Sequence, residues 1–188
     1  VEKDRRGEKT MLKKFAAAAA VFLLALCLSA CITIESADDH YNTGNAPNSG
    51  ESVFLSIECG TILDNWDDLD PSLRDEKYVP ADGVILAERE YAVAEGDTVF
   101  DVFDRAVREN KIQMEYEGAN KNALGSVYIE GINYLYEFSC GPLSGWMYRV
   151  NGEFPNYGCG MYELKDGDVI EWVYTCDLGR DVGIDWEM

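Results

Sequence analysis

The chain has 188 residues, of which 16 are Lys or Arg and 35 are Asp or Glu, so its formal net charge is −19. This charge argues against nucleic-acid binding, because Lys and Arg that neutralise phosphates supply most of the affinity in that class of protein. Residues 31–188 alone carry 10 basic and 32 acidic side chains, a net charge of −22, which also suits a well-solvated surface protein.

The N-terminal segment has the pattern of a bacterial lipoprotein signal peptide. A basic pair precedes an apolar run at 15–26, and small residues then lead to Cys31. We predict a signal peptide over 1–30, in which 1–10 can be an over-extended start, and we predict lipidation of Cys31 at the extracellular face of the cell membrane. The apolar run is shorter than the roughly 20 residues of a membrane span, so a retained transmembrane helix is the lesser alternative.

The rest of the chain divides into a tether and one domain. Residues 31–51 are rich in Gly, Asn and Ser and have no apolar period, which predicts a flexible, lipidated tether. Residues 52–188 are numerous enough to form one domain with its own hydrophobic core. We find no pattern for a second domain and no long-period repeat.

The predicted domain contains one helix among several strands. Strands are predicted at 53–59, 83–93, 112–116, 126–130, 134–138, 146–150 and 169–176. Between the second and third strands, Thr98 can cap a helix that runs to Asn110, and Asp101 completes the capping pattern. The order of two strands, one helix and further strands predicts an α+β fold in which the helix crosses a mixed sheet.

The segment 144–152, Ser-Gly-Trp-Met-Tyr-Arg-Val-Asn-Gly, predicts an aromatic strand that enters a hairpin. Asn151-Gly152 suits a turn that needs positive φ at two positions. A Gly-Cys turn at 158–159 and the sequence Asp-Gly-Asp-Val-Ile-Glu-Trp at 166–172 follow. Trp172 and Tyr174 share a face on a strand expected to be central, so we assign both rings to the core.

The remaining rings are the candidate binding surface. Rings clustered around two turns, beside small polar side chains, would suit a large flat ligand such as a corrin or a sugar. The rings are Tyr134, Tyr136, Trp146, Tyr148 and Tyr157, and the polar residues are Ser144, Asn151 and Asn156.

Four cysteines lie in the predicted domain: Cys59, Cys140, Cys159 and Cys176. An even number of cysteines in an oxidising compartment predicts two disulfides, for which three pairings exist. A four-cysteine zinc site is the weaker alternative, because no Cys-x-x-Cys pair is present.

Motifs for catalysis are missing, so we expect no enzymatic activity and no required cofactor. The one histidine, His40, lies in the predicted tether, and no phosphate-binding glycine loop occurs. The acidic run 64–70 offers oxygen ligands for calcium, but Leu69 stands where an EF-hand needs Gly. A solvated loop is therefore the preferred interpretation there, and weak calcium binding stays open. No metal site is predicted.

The order Gly-Trp-Met-Tyr-x-Val-Asn-Gly, then Gly-Cys, then Asp-Gly-Asp-x-Ile-x-Trp resembles the transcobalamin-like domain of bacterial surface proteins. That domain is similar to the C-terminal cobalamin-binding β-domain of transcobalamin and intrinsic factor. The resemblance spans 52–181 and implies a β-grasp fold, with the first and last strands adjacent and parallel. From that arrangement we expect the disulfides Cys59–Cys176 and Cys140–Cys159.

The resemblance also implies a ligand. In the cobalamin carriers, the corresponding Trp-containing strand covers one face of the corrin, which on this chain indicates Gly145, Trp146, Met147 and Tyr148. The carriers use a large helical domain for the other face, so a lone domain would bind more weakly or share its ligand with a membrane transporter. The first hypothesis is a lipid-anchored extracellular protein that captures a small ligand, with cobalamin as the candidate. The alternative is a structural or adhesive surface domain that binds a protein or glycan.

Overall fold

A computed structural model describes residues 50–121 and 125–185, all of which belong to one compact unit. The predicted signal peptide, the predicted lipidation site Cys31 and residues 31–49 of the predicted tether lie outside the described residues. No helix in the described ranges is both long and apolar enough to span a membrane.

The domain is built on a mixed four-stranded sheet with the order β2-β1-β7-β6. Its strands are β1 (Ser52–Glu58), β2 (Val84–Ala92), β6 (Gly145–Val150) and β7 (Val169–Thr175). β1 and β7 are parallel neighbours at the centre, and β2 and β6 are antiparallel edges. The first and last strands are therefore adjacent and parallel, as the resemblance implies.

One long helix packs on this sheet. Helix α2 (Val99–Asn110) begins as predicted, because Thr98 and Asp101 form both hydrogen bonds of a capping box. It ends at Asn110, because the next residue, Lys111, has a left-handed φ of 55°. Its buried face includes Phe103, whose ring centroid lies 4.4 Å from that of Trp172 on β7. The helix thus covers one face of the sheet, and a mixed α+β fold is confirmed.

A second, three-stranded antiparallel sheet has the order β3-β4-β5. It consists of β3 (Met114–Glu117), β4 (Tyr128–Ile132) and β5 (Leu135–Tyr136). β5 is shorter than the predicted strand 134–138, because Tyr134 and Phe138 both take a φ of 66°. Such left-handed backbone cannot continue a strand, so pairing stops on both sides of β5.

The acidic run forms short helical turns. Helix α1 (Thr61–Asp64) is followed by two 3₁₀ turns, Trp66–Asp68 and Pro71–Leu73, and Asp70 caps the second by accepting from the backbone N–H of Ser72. Within residues 50–121 and 125–185, no three His, Cys, Asp or Glu side chains are grouped so that they could hold a metal ion.

The predicted disulfides Cys59–Cys176 and Cys140–Cys159 are wrong, since all four cysteines are free thiols. The register that pairs Glu58 of β1 with Val173 of β7 places Cys59 level with residue 174 and short of Cys176. Cys159 and Cys140 are buried in two separate hydrophobic clusters. The strand register thus offsets Cys59 from Cys176, and burial in different clusters keeps Cys140 away from Cys159.

Candidate functional site

An aromatic cleft lies beside β6, where the two sheets meet, and its volume is about 540 Å³. The start of β4, the edge strand β6, the loop between β6 and β7, and one residue of β7 form its walls. The lining residues are Val127, Tyr128, Ile129, Trp146, Met147, Tyr148, Phe154, Pro155, Asn156, Tyr157, Gly158, Cys159, Met161 and Trp172. We refer to this feature below as the aromatic cleft.

Two cross-strand aromatic pairs hold β6 against β7 at the base of the cleft. The antiparallel register sets Trp146 opposite Tyr174 and Tyr148 opposite Trp172. The ring centroids of these pairs are 5.2 Å and 5.5 Å apart. The indole N–H of Trp146 also donates to the carbonyl of Leu135 on β5, at 2.7 Å. These contacts give the rings at the base fixed positions.

The Asn151-Gly152 turn brings the chain back to form the outer wall. Both residues have positive φ, 54° and 82°, as this dipeptide predicts. Beyond the turn, the hydroxyl of Tyr148 donates to the backbone carbonyl of Tyr157 at 2.7 Å. Gly158 then passes so close to Ser126 that an added Cβ would lie 2.1 Å from the Ser126 Oγ. A side chain at this position would push the wall outward.

The lining contains no Asp, Glu, Lys, Arg or His. Burial raises the pKa values of three ionisable side chains in the lining, those of Tyr128 and Cys159 to about 12, and that of Tyr148 upward as well. All of these groups are therefore neutral at physiological pH. The aromatic cleft is thus an uncharged surface within a strongly acidic protein, and it suits neutral or soft, polarisable groups.

The cleft combines a buried base with an exposed rim. Trp172 at the base is 2% exposed, and its indole N–H has no hydrogen-bond partner among the described residues. Tyr157 and Met161 at the rim are 45% and 58% exposed. The rim therefore offers a ring face and a thioether to a ligand, while the base is packed as core.

The structure brings together half of the predicted binding residues. Trp146, Met147, Tyr148, Asn156 and Tyr157 all line the aromatic cleft. The other five predicted residues lie outside its lining: Tyr134, Tyr136, Ser144, Gly145 and Asn151. Whether any of the ten binds a ligand stays a prediction.

Ser144 and Asn151 are engaged in hydrogen bonds within the fold. The buried Ser144 Oγ accepts from the backbone N–H of Cys140 at 3.0 Å and lies 2.9 Å from the hydroxyl oxygen of Tyr174. The Asn151 amide donates to Asp168 at 2.8 Å, and its oxygen accepts from the backbone N–H of Val169 at 2.9 Å. Both side chains shape the turns around the cleft.

The two tyrosines at the turn after β4 belong to another surface. Tyr134 is 52% exposed and meets the edge of Tyr78, with ring centroids 5.6 Å apart. The hydroxyl of Tyr136 accepts from the amide of Gln113 at 2.9 Å. Neither side chain lines the aromatic cleft, so the predicted ring cluster divides into two parts.

The sequence did not lead us to predict the cleft wall formed by β4, or most of the residues that the loop between β6 and β7 contributes. The contributions it missed are Val127, Tyr128, Ile129, Phe154, Pro155, Gly158, Cys159, Met161 and the core ring Trp172. The run Phe-Pro-Asn-Tyr directly after the turn is a signal that could have been used, because Pro and two rings in a short loop are typical of a rigid apolar surface. Residues 127–129 carry no comparable signal.

Residues 96–176 match the family model described as "Domain of unknown function (DUF4430)", which is less than half of the chain. No curated protein matches. Among solved structures, the chain is similar to haptocorrin in complex with Cbi, at 17% identity and a TM-score of 0.44, over 68% of this chain and 25% of that chain.

A second similar structure is a "putative metal binding protein" from Ruminococcus gnavus ATCC 29149, at 12% identity and a TM-score of 0.35, over 66% of this chain and 96% of that one. This chain therefore spans nearly all of that protein but only about a quarter of haptocorrin. The segment that matches the family model contains every residue of the cleft lining, so the aromatic cleft lies in the part of the chain that is similar to this domain family.

Proposed function

We propose that this chain is a non-enzymatic, lipid-anchored protein of the extracellular face of the cell membrane, and that it captures a small ligand in the aromatic cleft. The proposed ligand class is a corrinoid such as cobalamin. The observation that supports the proposal most is the position of the cleft. It lies directly beside Trp146 and Tyr148, on the strand that the transcobalamin-like motif indicates.

The size and lining of the cleft support a small-molecule ligand. Pockets that hold such ligands measure roughly 300–1,000 Å³ and are mostly apolar, with few polar groups. The cleft has about 540 Å³ and an uncharged aromatic lining, with Asn156 and the Tyr157 hydroxyl at its mouth. A ligand would gain affinity by burying apolar surface and would be oriented by these few polar groups.

A corrinoid fits this arrangement through one face. Its broad ring system would lie against Tyr157 and Met161, which are exposed at the rim, and its amide side arms would reach Asn156. The opposite face of the ligand would stay open to solvent. An open face is what handover to a membrane transporter needs, so capture for uptake is the proposed role.

The test is a titration of the chain with cobalamin, followed by tryptophan quenching and by co-elution of the coloured ligand on a sizing column. Trp146 lies in the cleft, so saturable one-to-one quenching is expected. The key variant is Tyr157→Ala, which removes an exposed rim ring. We expect its dissociation constant to rise by about tenfold or more, since one well-placed aromatic contact contributes roughly 1–2 kcal/mol.

The matched control is Tyr134→Ala. Tyr134 is exposed to a similar extent, 52% against 45%, and it also contacts one other tyrosine, but it lies outside the cleft. Its removal should leave the dissociation constant unchanged within about twofold. An equal loss in both variants, or a folded chain that binds no corrinoid, would overturn the proposal.

One observation favours the alternative of an adhesive surface domain. Phe138 and Tyr134 are 63% and 52% exposed, and both stand on left-handed backbone that costs energy to maintain. Exposed rings of this kind are typical of surfaces that meet a protein or a glycan. If the chain binds no corrinoid, glycan-array binding that is lost in Phe138→Ala would support this second function.

A further inference from the structure

Two of the four thiols lie next to one another. Cys140 follows β5 and Cys176 follows β7, and both side chains pack in the same hydrophobic cluster beside Tyr174. Cys140 is 1% exposed, whereas Cys176 is half-buried. The pair therefore has one member within the core and one that a reagent from solution can reach.

The path of the backbone explains why these two cysteines lie near each other. The antiparallel β6–β7 register pairs Gly145 with Thr175. If the register is continued by one residue beyond this pair, Ser144 lies opposite Cys176. The Ser144 hydroxyl accepts from the backbone N–H of Cys140 at 3.0 Å. The turn from Cys140 to Ser144 thus returns the first cysteine to the end of β7. This placement follows from strand register and one side-chain hydrogen bond.

The other two cysteines are held elsewhere. The Cys159 thiol lies in the aromatic cleft and donates weakly to the carbonyl of Val127, at 3.8 Å. Cys59 is fully buried at the end of β1, beside the carboxylates of Asp82 and Glu58. Cys159 belongs to a different hydrophobic cluster from Cys140 and Cys176, whereas Cys59 shares their cluster. The pair also has no third metal-ligating side chain grouped with it in the described ranges.

We propose that Cys140 and Cys176 form a single reversible disulfide in the folded protein. The bond requires the two sulfur atoms to approach within a cluster in which both side chains already pack. Cys59 and Cys159 stay reduced as core thiols in both states. This pairing differs from both pairs that the sequence predicts.

The reaction is a thiol–disulfide exchange with a low-molecular-weight disulfide such as oxidised glutathione. Cys176, the more accessible thiol, loses its proton and attacks one sulfur of the oxidant, which releases one glutathione thiolate and leaves a mixed disulfide. Cys140 then loses its proton and attacks the Cys176 sulfur, which releases the second thiolate. Two cysteine thiols are oxidised, and one glutathione disulfide is reduced to two glutathione thiols.

The cross-link would join the two sheets. Cys140 extends from the three-stranded sheet and Cys176 from the four-stranded sheet. The aromatic cleft lies where these sheets meet, and the whole stretch from β6 through the cleft loop to β7 falls between the two cysteines. Oxidation would therefore stabilise the arrangement of the cleft walls. Reduction would leave the walls held by packing and hydrogen bonds alone.

The test is disulfide mapping of the native full chain in a glutathione redox buffer. Free thiols are blocked with an alkylating reagent, first before and then after denaturation, and the tryptic peptides are identified by mass spectrometry without reduction. We expect one cross-linked species that joins peptide 122–149 to peptide 166–180, whose cysteines are Cys140 and Cys176. We also expect Tm to rise by about 5–10 °C on oxidation.

Two variants control the result. Cys176→Ser should abolish both the linked peptide and the oxidation-dependent rise in Tm. Cys159→Ser should keep both, even if its own starting Tm is lower. A native protein in which these cysteines stay unlinked at oxidising glutathione ratios would overturn the proposal, as would a cross-link that joins Cys59 to Cys176 or Cys140 to Cys159.

Discussion

The hydroxyl of Tyr148, a ring at the base of the aromatic cleft, donates a 2.7 Å hydrogen bond to the backbone carbonyl of Tyr157 at its rim. One side chain thereby connects the edge strand to the loop that closes the cleft. The bond makes the position of the rim ring depend on the strand beneath it.

The substitution Tyr148→Phe keeps the ring and removes this bond. The Tyr157 carbonyl is near the surface and can accept from water instead, so the free energy of unfolding should fall by only about 1 kcal/mol. The freed loop should weaken ligand binding by about three- to tenfold. Denaturant unfolding and the cobalamin titration measure the two effects. Unchanged binding together with normal folding would show that the loop keeps its position without the bond.

Gly158→Ala tests whether the outer wall needs the absence of a side chain. The φ and ψ of this glycine, −70° and 153°, are open to any residue, so backbone strain does not contribute. The new Cβ would however lie 2.1 Å from the Ser126 Oγ, so the loop must move. We expect a loss of about 1–3 kcal/mol in the free energy of unfolding.

Gly60→Ala is the control for that loss, because a Cβ at Gly60 would meet nothing within 4 Å and its φ is −59°. It should change the free energy of unfolding by less than about 0.5 kcal/mol. Equal effects of the two substitutions would mean that the close approach at Gly158 has no structural role.

Tyr174→Phe removes a hydroxyl that bridges two turns in the core. The side chain is 1% exposed, and the hydroxyl donates to the carbonyl of Tyr136 at 2.7 Å and contacts the Ser144 Oγ at 2.9 Å. The buried groups left behind lose a partner, so the free energy of unfolding should fall by about 1–3 kcal/mol. Tyr116→Phe, at a 45% exposed ring, should be nearly neutral. Thermal unfolding of both variants checks the difference.

Alkaline pH should destabilise the reduced protein. Burial raises the pKa of the Cys159 thiol from its ordinary value of 9.0 to about 12. Between these values the unfolded chain binds fewer protons than the folded one, so this contribution to stability is complete below pH 9 and is lost as the pH rises through 12. Its full size is about 4 kcal/mol, at about 1.4 kcal/mol for each pKa unit.

The measurement is denaturant unfolding in the presence of a reductant, at about pH 8 and about pH 10.5. The wild type should lose about 2 kcal/mol more than Cys159→Ala over this interval, because the variant has no thiol to ionise. Equal losses in the two proteins would contradict the assignment of the alkaline sensitivity to Cys159. The sensitivity would then come from other buried groups, such as Tyr174 or Cys59, whose pKa values burial also raises to about 12.

Elements with strong local signals were predictable from the sequence. The helix begins at Thr98 because its capping box is complete within four residues, and the Asn151-Gly152 turn has the backbone that this dipeptide favours. Trp146 and Tyr148 lie on a strand that the alternation of their side chains predicts. In each case the information lies within a few neighbouring residues.

The cysteine pairing and the second wall of the cleft depend on longer-range geometry. The turn through Phe138 and Gly141, with φ values of 66° and 87°, redirects Cys140 toward the end of β7. No local sequence pattern predicts left-handed backbone at a phenylalanine. The cleft wall formed by β4 likewise depends on how the two sheets pack against each other. The spacing of residues within one sheet does not predict that packing.

The Asn151 side chain is a site for spontaneous deamidation, a reaction that needs no enzyme. When Gly follows Asn, the glycine backbone nitrogen can attack the side-chain carbonyl and release ammonia, and water then opens the resulting succinimide to an acid. Here the amide donates to the carboxylate of Asp168, which is only 8% exposed. The aged protein would hold two carboxylates where it now has a hydrogen bond, and their repulsion would loosen the junction between the hairpin turn and β7. The residue that gives the turn its shape is thus also a point at which storage would slowly damage the fold.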